Sequence, residues 1–380
     1  MTTTLRVVVD DIVASTPSGL SRYTEELTRE LIKTAPEGCA VAGIVSSSPQ
    51  RDYDRIDTLL PGLQGLFKSA LSRRELQVAW QHGLTRVPGG GMVHATSLLA
   101  PLVRHDRVNN PGEQTVVTIH DVLPWTHPES MAPRRVSWHK AMAKRAYKYA
   151  DAVVVPTHSV AEELDGILNF GDRIRVIGDA VSSKLQLPVD AESRAAALGL
   201  PERFILTTSS PRPGKGLGPL IQSLTTESDA GLPLVVVGDA GWGDTDAIEM
   251  AAEAGLADGR VRALGFLGDA DLAVALDRAT VFAFPSVAEG FGLPLVEAFH
   301  FGTPVVHSDA AAVVEVSAGA GVAVPAGDAD LYPDRLAAAI SSIATDPVLA
   351  ERLRYSGLDR AKAFSWSDAA KQVWQLHADL

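Results

Sequence analysis

Two glutamates eight positions apart stand in the run Phe284-Pro285-Ser286-Val287-Ala288-Glu289-Gly290-Phe291-Gly292-Leu293-Pro294-Leu295-Val296-Glu297-Ala298. The run reads as the end of a strand, a glycine-bearing loop, and a helix with Pro294 at a favourable first-turn position. Gly290 and Gly292 let the backbone approach a ligand closely, and Phe291 between them is not expected to bury as a core aromatic does. Glu297, about one turn into the helix, can receive two hydroxyls of a ribose, while Glu289 in the loop can accept from a sugar hydroxyl. Either glutamate alone would read as a helix-dipole partner or a solvated carboxylate. The complete string points to a ligand.

A second constellation is Thr207-Thr208-Ser209-Ser210-Pro211-Arg212-Pro213-Gly214-Lys215-Gly216-Leu217, between a strand and a helix. A diphosphate needs cations and free amides, and a helix N-terminus beside Arg212 and Lys215 offers both. It is no P-loop: Ser209 occupies the required glycine position, and Gly216 replaces the Ser/Thr. His120-Asp121 closes the Val116–Ile119 strand, a strand end where ligands of parallel sheets collect. Gly265-Phe266-Leu267 ends another strand. Pro17-Ser18-Gly19-Leu20-Ser21-Arg22-Tyr23 joins the first strand to the first helix and holds no dinucleotide fingerprint. Gly89-Gly90-Gly91 precedes a strand and so cannot supply one either. No His-Glu-x-x-His and no suitably spaced carboxylate cluster suggests a metal, and Cys39 is the single cysteine.

The elements that must position these residues alternate regularly. Leu5–Val9 and Val41–Val45 read as strands flanking helix Ser21–Ala35. Residues 46–90 are loop-rich with helical patches at Gly65–Leu71 and Arg74–His82. Met92–Thr96, Thr115–Ile119 and Ala152–Val155 read as buried parallel strands, the last following helix Arg134–Ala150. After the short strand Arg175–Ile177, segment 179–202 carries Pro188, Pro201 and polar stretches, and marks a linker. The pattern restarts with strands at Phe204–Thr208, Leu234–Val237, Val261–Leu264, Val281–Phe284 and Pro304–His307, with helices between them. Helices end the chain, the last over Trp366–Ala378. The fold class is α/β, with two doubly wound parallel-sheet domains.

The 380-residue length suits two or three domains at roughly 150 residues each. A net charge of −12 argues against nucleic acid as a partner. Residues 1–185 carry 21 basic and 20 acidic groups; the remainder carries 13 and 26. The early first strand leaves no room for a secretory signal, and no apolar stretch reaches the roughly 18–20 residues that span a bilayer. A cytoplasmic protein is expected. Arg134–Lys148 holds Arg134, Arg135, Lys140, Lys144, Arg145 and Lys148 with no acid, a face that can dock on anionic lipid or simply be solvated.

The 289–297 string resembles the Glu-x7-Glu motif of the retaining, GT-B-fold glycosyltransferases of family 4, and the similarity extends over nearly the whole chain. The resemblance implies two Rossmann-like domains facing across a cleft: residues 1–185 on the acceptor side, 186–360 on the donor side, and 361–380 a helix crossing back to the first. It places Glu289 on the transferred sugar, Glu297 on the ribose, and backbone amides of Phe291, Gly292 and Leu293 on sugar hydroxyls and phosphate. Lys215 takes the diphosphate lysine's place. Arg212 is the candidate for its arginine, although Pro-Arg-Pro-Gly-Lys departs from the family's Gly-Arg pair or Pro-Arg-Lys run. Gly19 matches a loop glycine that approaches the diphosphate, His120 the histidine near the donor sugar, and Gly265 with Phe266 the backbone that reads the nucleobase.

The implied function is transfer of a hexose, mannose before glucose, from a GDP- or UDP-linked sugar without metal or other cofactor. Configuration is retained, and the acceptor is a hydroxyl of a glycan or lipid-linked sugar in cell-surface polysaccharide or glycolipid synthesis. The donor preference rests on the Gly238–Gly243 stretch and the Pro-Arg segment. Region 46–90 is assigned to the acceptor, and Glu315 to structure. A GT-B epimerase, a phosphorylase, and a catalytically silent nucleotide-sugar-binding homologue are the alternatives.

Overall fold

The computed structural model describes residues 3–14, 18–85, 91–107, 109–110, 112–238, 241–243 and 245–380. Pro17, Gly89, Gly90 and part of the Gly238–Gly243 stretch lie outside the described residues. The chain divides into two compact units, one formed by Met1–Asp179 with Ser365–Leu380 and the other by Ala180–Phe364.

In the first unit the strands are β1 (Thr3–Val8), β2 (Cys39–Ser47), β3 (Leu66–Ser72), β4 (Met92–Ala95), β5 (Gln114–Thr118), β6 (Ala152–Val155) and β7 (Ile174–Val176). They form one parallel sheet in the order β3-β2-β1-β4-β5-β6-β7. Helices α1 (Gly19–Lys33), α2 (Gln50–Leu59), α3 (Arg73–His82), α4 (Leu123–Thr126), α5 (Pro133–Tyr149) and α6 (His158–Leu168) connect them. Residues 66–71 are strand, contrary to the helical reading. Gly43 of β2 lacks the side chain that would collide with Leu66, so an edge strand docks there, half-exposed and with no clean alternation to betray it.

The second unit contains α7 (Ala191–Ala197), β8 (Ile205–Thr207), α8 (Leu217–Ser223), β9 (Leu234–Val237), β10 (Gly241–Trp242), β11 (Thr245–Asp246), α9 (Ala247–Glu253), β12 (Val261–Gly265), α10 (Asp269–Arg278), β13 (Val281–Phe284), α11 (Leu293–His300), β14 (Val305–Ser308), α12 (Ala311–Ser317), β15 (Val322–Val324), α13 (Tyr332–Thr345) and α14 (Pro347–Ala361). Its six-stranded parallel sheet runs β12-β9-β8-β13-β14-β15. The strands are apolar on both sides. Leu206, Val235, Phe282 and Phe284 enter one core, while Ile205, Leu234, Val236, Val281 and Ala283 enter the other. Alternating residues thus bury both sheet faces, as a helix-covered parallel sheet requires.

The last helix, α15 (Trp366–Asp379), belongs to the first unit, where Trp374 donates its indole N–H to the Leu31 carbonyl at 3.1 Å. At its far end His377 Nδ1 lies 3.0 Å from Gln114 Oε1, and His377 Nε2 lies 3.4 Å from His94 Nδ1. Gln114 Oε1 accepts, so His377 carries its proton on Nδ1 and receives one from His94. Both rings are buried and held neutral. Burial pushes His377 down to about 4, and burial with the neighbouring His377 keeps His94 well below the usual histidine range. The unfolded chain therefore takes up these protons at higher pH than the folded one. Their contribution to stability is complete above about pH 6.5 and declines as pH falls toward 4. Urea unfolding should show stability lower by about 2 kcal/mol or more at pH 5 than at pH 7. His377→Gln, whose amide can still donate to Gln114, should flatten that slope; an unchanged slope would assign it to other groups.

Candidate active site

In an open parallel sheet the ligand crevice lies where the strand order reverses, beyond the strands' carboxyl ends. In the second unit that point falls between β8 and β13. These strands pair Ile205 with Val281 and Leu206 with Phe282, and past them the Thr207 hydroxyl continues the link, donating to the Ala283 carbonyl at 2.8 Å. The same hydroxyl accepts the Ser209 amide at 3.1 Å, which turns the chain outward.

The two loops that follow are locked together. The Gly214 carbonyl accepts both the Val287 amide at 2.9 Å and the Ser286 hydroxyl at 3.1 Å. Gly216 has φ +74°, and a Cβ there would lie 2.3 Å from the Pro285 carbonyl oxygen, so only glycine lets the loops approach this closely. From outside, Tyr332 donates its hydroxyl to that Pro285 oxygen at 2.9 Å, and Ser308 donates to the Ser286 carbonyl. Sequence reading missed Tyr332 and Ser308, which lie distant in the chain and carry no motif.

This docking brings together two of the expected site residues. Lys215 Nζ donates to Glu289 Oε1 at 2.5 Å, with both side chains mostly buried. Arg212 opens the turn that presents the lysine, its carbonyl accepting the Lys215 amide at 3.1 Å. Gly292, with φ +85°, is the N-cap of α11, and Leu293 and Pro294 start the helix. The first-turn amides of a helix lack partners within it and point outward at such a cap. Glu297 lies on α11 and is only 3% exposed, far from the solvated face that a dipole-complementing glutamate would occupy. Phe291 departs from expectation. It is 5% exposed and meets Phe364 edge-on, with ring centres 5.4 Å apart. The flanking glycines leave room for that burial, and the ring anchors the loop. Gly265 takes φ +67° at the end of β12 and its carbonyl accepts the Gly238 amide at 2.8 Å, while Phe266 beside it is 63% exposed.

Gly19 and His120 belong to the first unit. Gly19 opens α1 behind a Ser18–Ser21 capping box, with open space where a side chain would be. His120 donates from Nε2 to the Thr96 carbonyl at 2.8 Å, and its ring meets the edge of Tyr23 at 4.6 Å. Asp179 faces both. Burial raises its carboxyl to about 6 despite the opposing charge of His120, and burial with the Asp179 charge pushes the Tyr23 phenol far up. The sequence reading also passed over Asp10 and Asp11, buried just after β1. Arg73 pairs with both, Ser97 donates to Asp11 at 2.8 Å, and the Ser46 amide donates to Asp10 at 2.7 Å. The strand-end argument that found His120-Asp121 would have found this pair. Among the described residues no group of three His, Cys, Asp or Glu could hold a metal ion.

The family model described as "Glycosyltransferase Family 4" matches residues 17–184, and that described as "Glycosyl transferases group 1" matches 202–346. The O-antigen chain mannosyltransferase B of Escherichia coli is 30% identical over 69% of this chain and 69% of its own. The MMP alpha-(1->4)-mannosyltransferase of Mycolicibacterium hassiacum is 28% identical over 93% of each. Among solved structures, Anabaena HepE in complex with UDP-glucose superposes with a TM-score of 0.71 at 19% identity, covering 99% of this chain and 100% of that one. The chain belongs to glycosyltransferase family 4, and its two doubly wound sheets are the GT-B fold. It is a hexosyltransferase.

The loop lock yields a direct test by unfolding in urea. Gly231 also has a left-handed φ, +72°, but has open space about it, so Gly231→Ala should bear only the backbone penalty of about 1–3 kcal/mol. Gly216→Ala adds the clash with Pro285 and should destabilise more. Equal losses would show that the loops part without penalty.

Proposed function

We propose that the second unit holds a nucleoside diphosphate sugar at the β8/β13 crevice and that the chain transfers its hexose to an acceptor hydroxyl with retained configuration. The observation that carries this reading is the Lys215–Glu289 pair, a cation and a carboxylate fixed side by side where the sheet places ligands. The departing diphosphate carries charge away from the breaking bond, so its stabilisation is the main electrostatic task. Lys215 supplies a cation, with Arg212 and the amides of Phe291, Gly292 and Leu293 as further donors. Glu297 receives the ribose hydroxyls, Glu289 a hydroxyl of the transferred sugar, and the Gly265–Phe266 turn the nucleobase. This set works without a metal.

Mannose is the favoured hexose, because both sequence relatives are named mannosyltransferases. UDP-linked glucose is the second reading, favoured by the HepE complex. A glycan or lipid-linked sugar fits as acceptor, since one relative is named for O-antigen chains. The protein works in the cytoplasm, and the basic face of α5 brings it to anionic lipid at the membrane. Among the described residues no helix is long and apolar enough to cross a membrane. An epimerase would release the nucleotide without an acceptor, a phosphorylase would need inorganic phosphate, and a silent homologue would bind without turnover.

Lys215 is paired with Glu289, so a bound diphosphate must take over the lysine's charge. Titration calorimetry should show Lys215→Ala weakening nucleoside diphosphates at least tenfold while leaving nucleosides nearly unchanged; equal losses would remove Lys215 from the clamp. Glu289→Gln should hold or tighten diphosphate binding, because it frees the lysine, while lowering hexose transfer by about a hundredfold or more. In a thermal-shift panel the correct donor at 100 times its Kd should add about 2.7 kcal/mol. No stabilisation by any GDP- or UDP-sugar would refute the reading.

A further inference from the structure

His120 stands just past the carboxyl end of β5, a place where ligands of parallel sheets collect. Two contacts decide how its ring lies. Nε2 donates to the Thr96 carbonyl at 2.8 Å, and the ring meets that of Tyr23 with centres 4.6 Å apart and planes at 87°. The carbonyl only accepts, so Nε2 carries a hydrogen and Nδ1 is the ring nitrogen left for a substrate. A single hydrogen bond would let the imidazole swing about its own axis. The Tyr23 ring, packed against it at a right angle, sets the plane.

Tyr23 is held in turn. It is buried, its hydroxyl lies 3.4 Å from Thr118 Oγ1, and its ring meets Trp366 with centres 5.5 Å apart and planes at 68°. Trp366 is the first residue of the terminal helix α15. Next to Tyr23, Thr24 Oγ1 lies 2.9 Å from Thr96 Oγ1, which itself donates to the Val8 carbonyl at 3.0 Å. Thr96 thus gives its only hydroxyl hydrogen to Val8, so Thr24 is the donor of the threonine pair. The residue that receives His120 is thereby tied to the helix that carries Tyr23. Trp366 and Trp374 stand eight positions apart, as do their partners Tyr23 and Leu31, so α15 runs alongside α1 in the same direction. Between these two contacts Leu27, Ala370 and Val373 are buried.

We propose that Tyr23 and Trp366 are positioning residues for the transfer reaction: the start of the terminal helix braces the Tyr23 ring, which turns His120 so that Nδ1 meets the substrate at its strand end. The inference rests on the proposed function and takes His120 as the group of this strand end that touches substrate. It assigns the last helix of the chain a part in setting a side chain that lies far from it in sequence.

Two measurements test this, one of them independent of turnover. In proton–carbon spectra of the whole protein with 13C-labelled histidine, the His120 ring signals are those that vanish in His120→Gln. Trp366→Ala should move them, Trp366→Phe should return them close to their wild-type positions, and the His307 signals of the second unit should stay in place in both. His120 signals that Trp366→Ala leaves unmoved overturn the proposal. In hexose transfer, Trp366→Ala and Tyr23→Leu should each lower kcat about tenfold with KM values within about twofold, while Trp366→Phe and Tyr23→Phe, which keep the rings, should stay near wild type. The double variant Tyr23→Leu with Trp366→Ala should be no slower than Tyr23→Leu alone, because one residue acts through the other. Losses that multiply, or a Tyr23→Phe as slow as Tyr23→Leu, overturn the proposal. Should Tyr23→Leu not fold, the two Trp366 variants still decide. If no donor is turned over, the proposed function fails, while the histidine signals still decide whether the terminal helix sets the ring.

Discussion

The Gly214 carbonyl is the point on which the second unit's chemistry turns. It takes two hydrogen bonds from the loop after β13 and belongs to the loop after β8, so two segments more than seventy residues apart in sequence behave as one surface. Gly216 makes this approach sterically possible, and Tyr332 and Ser308 hold the other side of the loop still. Lys215 rides on one segment and Glu289 on the other. Their separation is set by backbone hydrogen bonds and not by the pliancy of long side chains. Groups fixed before the ligand arrives need little reorganisation when charge develops, which is how a preorganised site lowers a barrier.

The charges of the two units are handled differently. In the second unit a cation and an anion neutralise each other at the crevice, an arrangement that a ligand with several negative charges can displace. In the first unit Asp179 is buried with an unsatisfied oxygen, and burial holds the Tyr23 phenol and His139 neutral. Both arrangements hold a charged group ready where solvent is largely excluded. The Asp10–Asp11–Arg73 cluster is unlike either: each carboxylate is paired and also bonded to a serine, so it ties the region after β3 to the end of β1.

The alternation of strands and helices was legible in the sequence because parallel strands buried on both faces read as short apolar runs. β3 was not, since it is a half-exposed edge strand whose docking depends on a missing side chain at Gly43 on the neighbouring strand. Lys215, Glu289 and Glu297 could be picked out because glycines and prolines flag loops at strand ends. Phe291 shows the limit of that reasoning: glycine neighbours signal a close backbone approach, but here the space they leave is filled by the phenylalanine packing inward against Phe364. Asp179 was hidden inside a stretch read only as linker.

The most direct measurement of the central claim is a crystal structure of the whole chain with a bound nucleoside diphosphate. The account predicts phosphate oxygens within hydrogen-bonding distance of Lys215 Nζ, with Glu289 turned away from the lysine and the 214–287 backbone bonds intact. A nucleotide seated elsewhere, with the Lys215–Glu289 pair undisturbed, would contradict it.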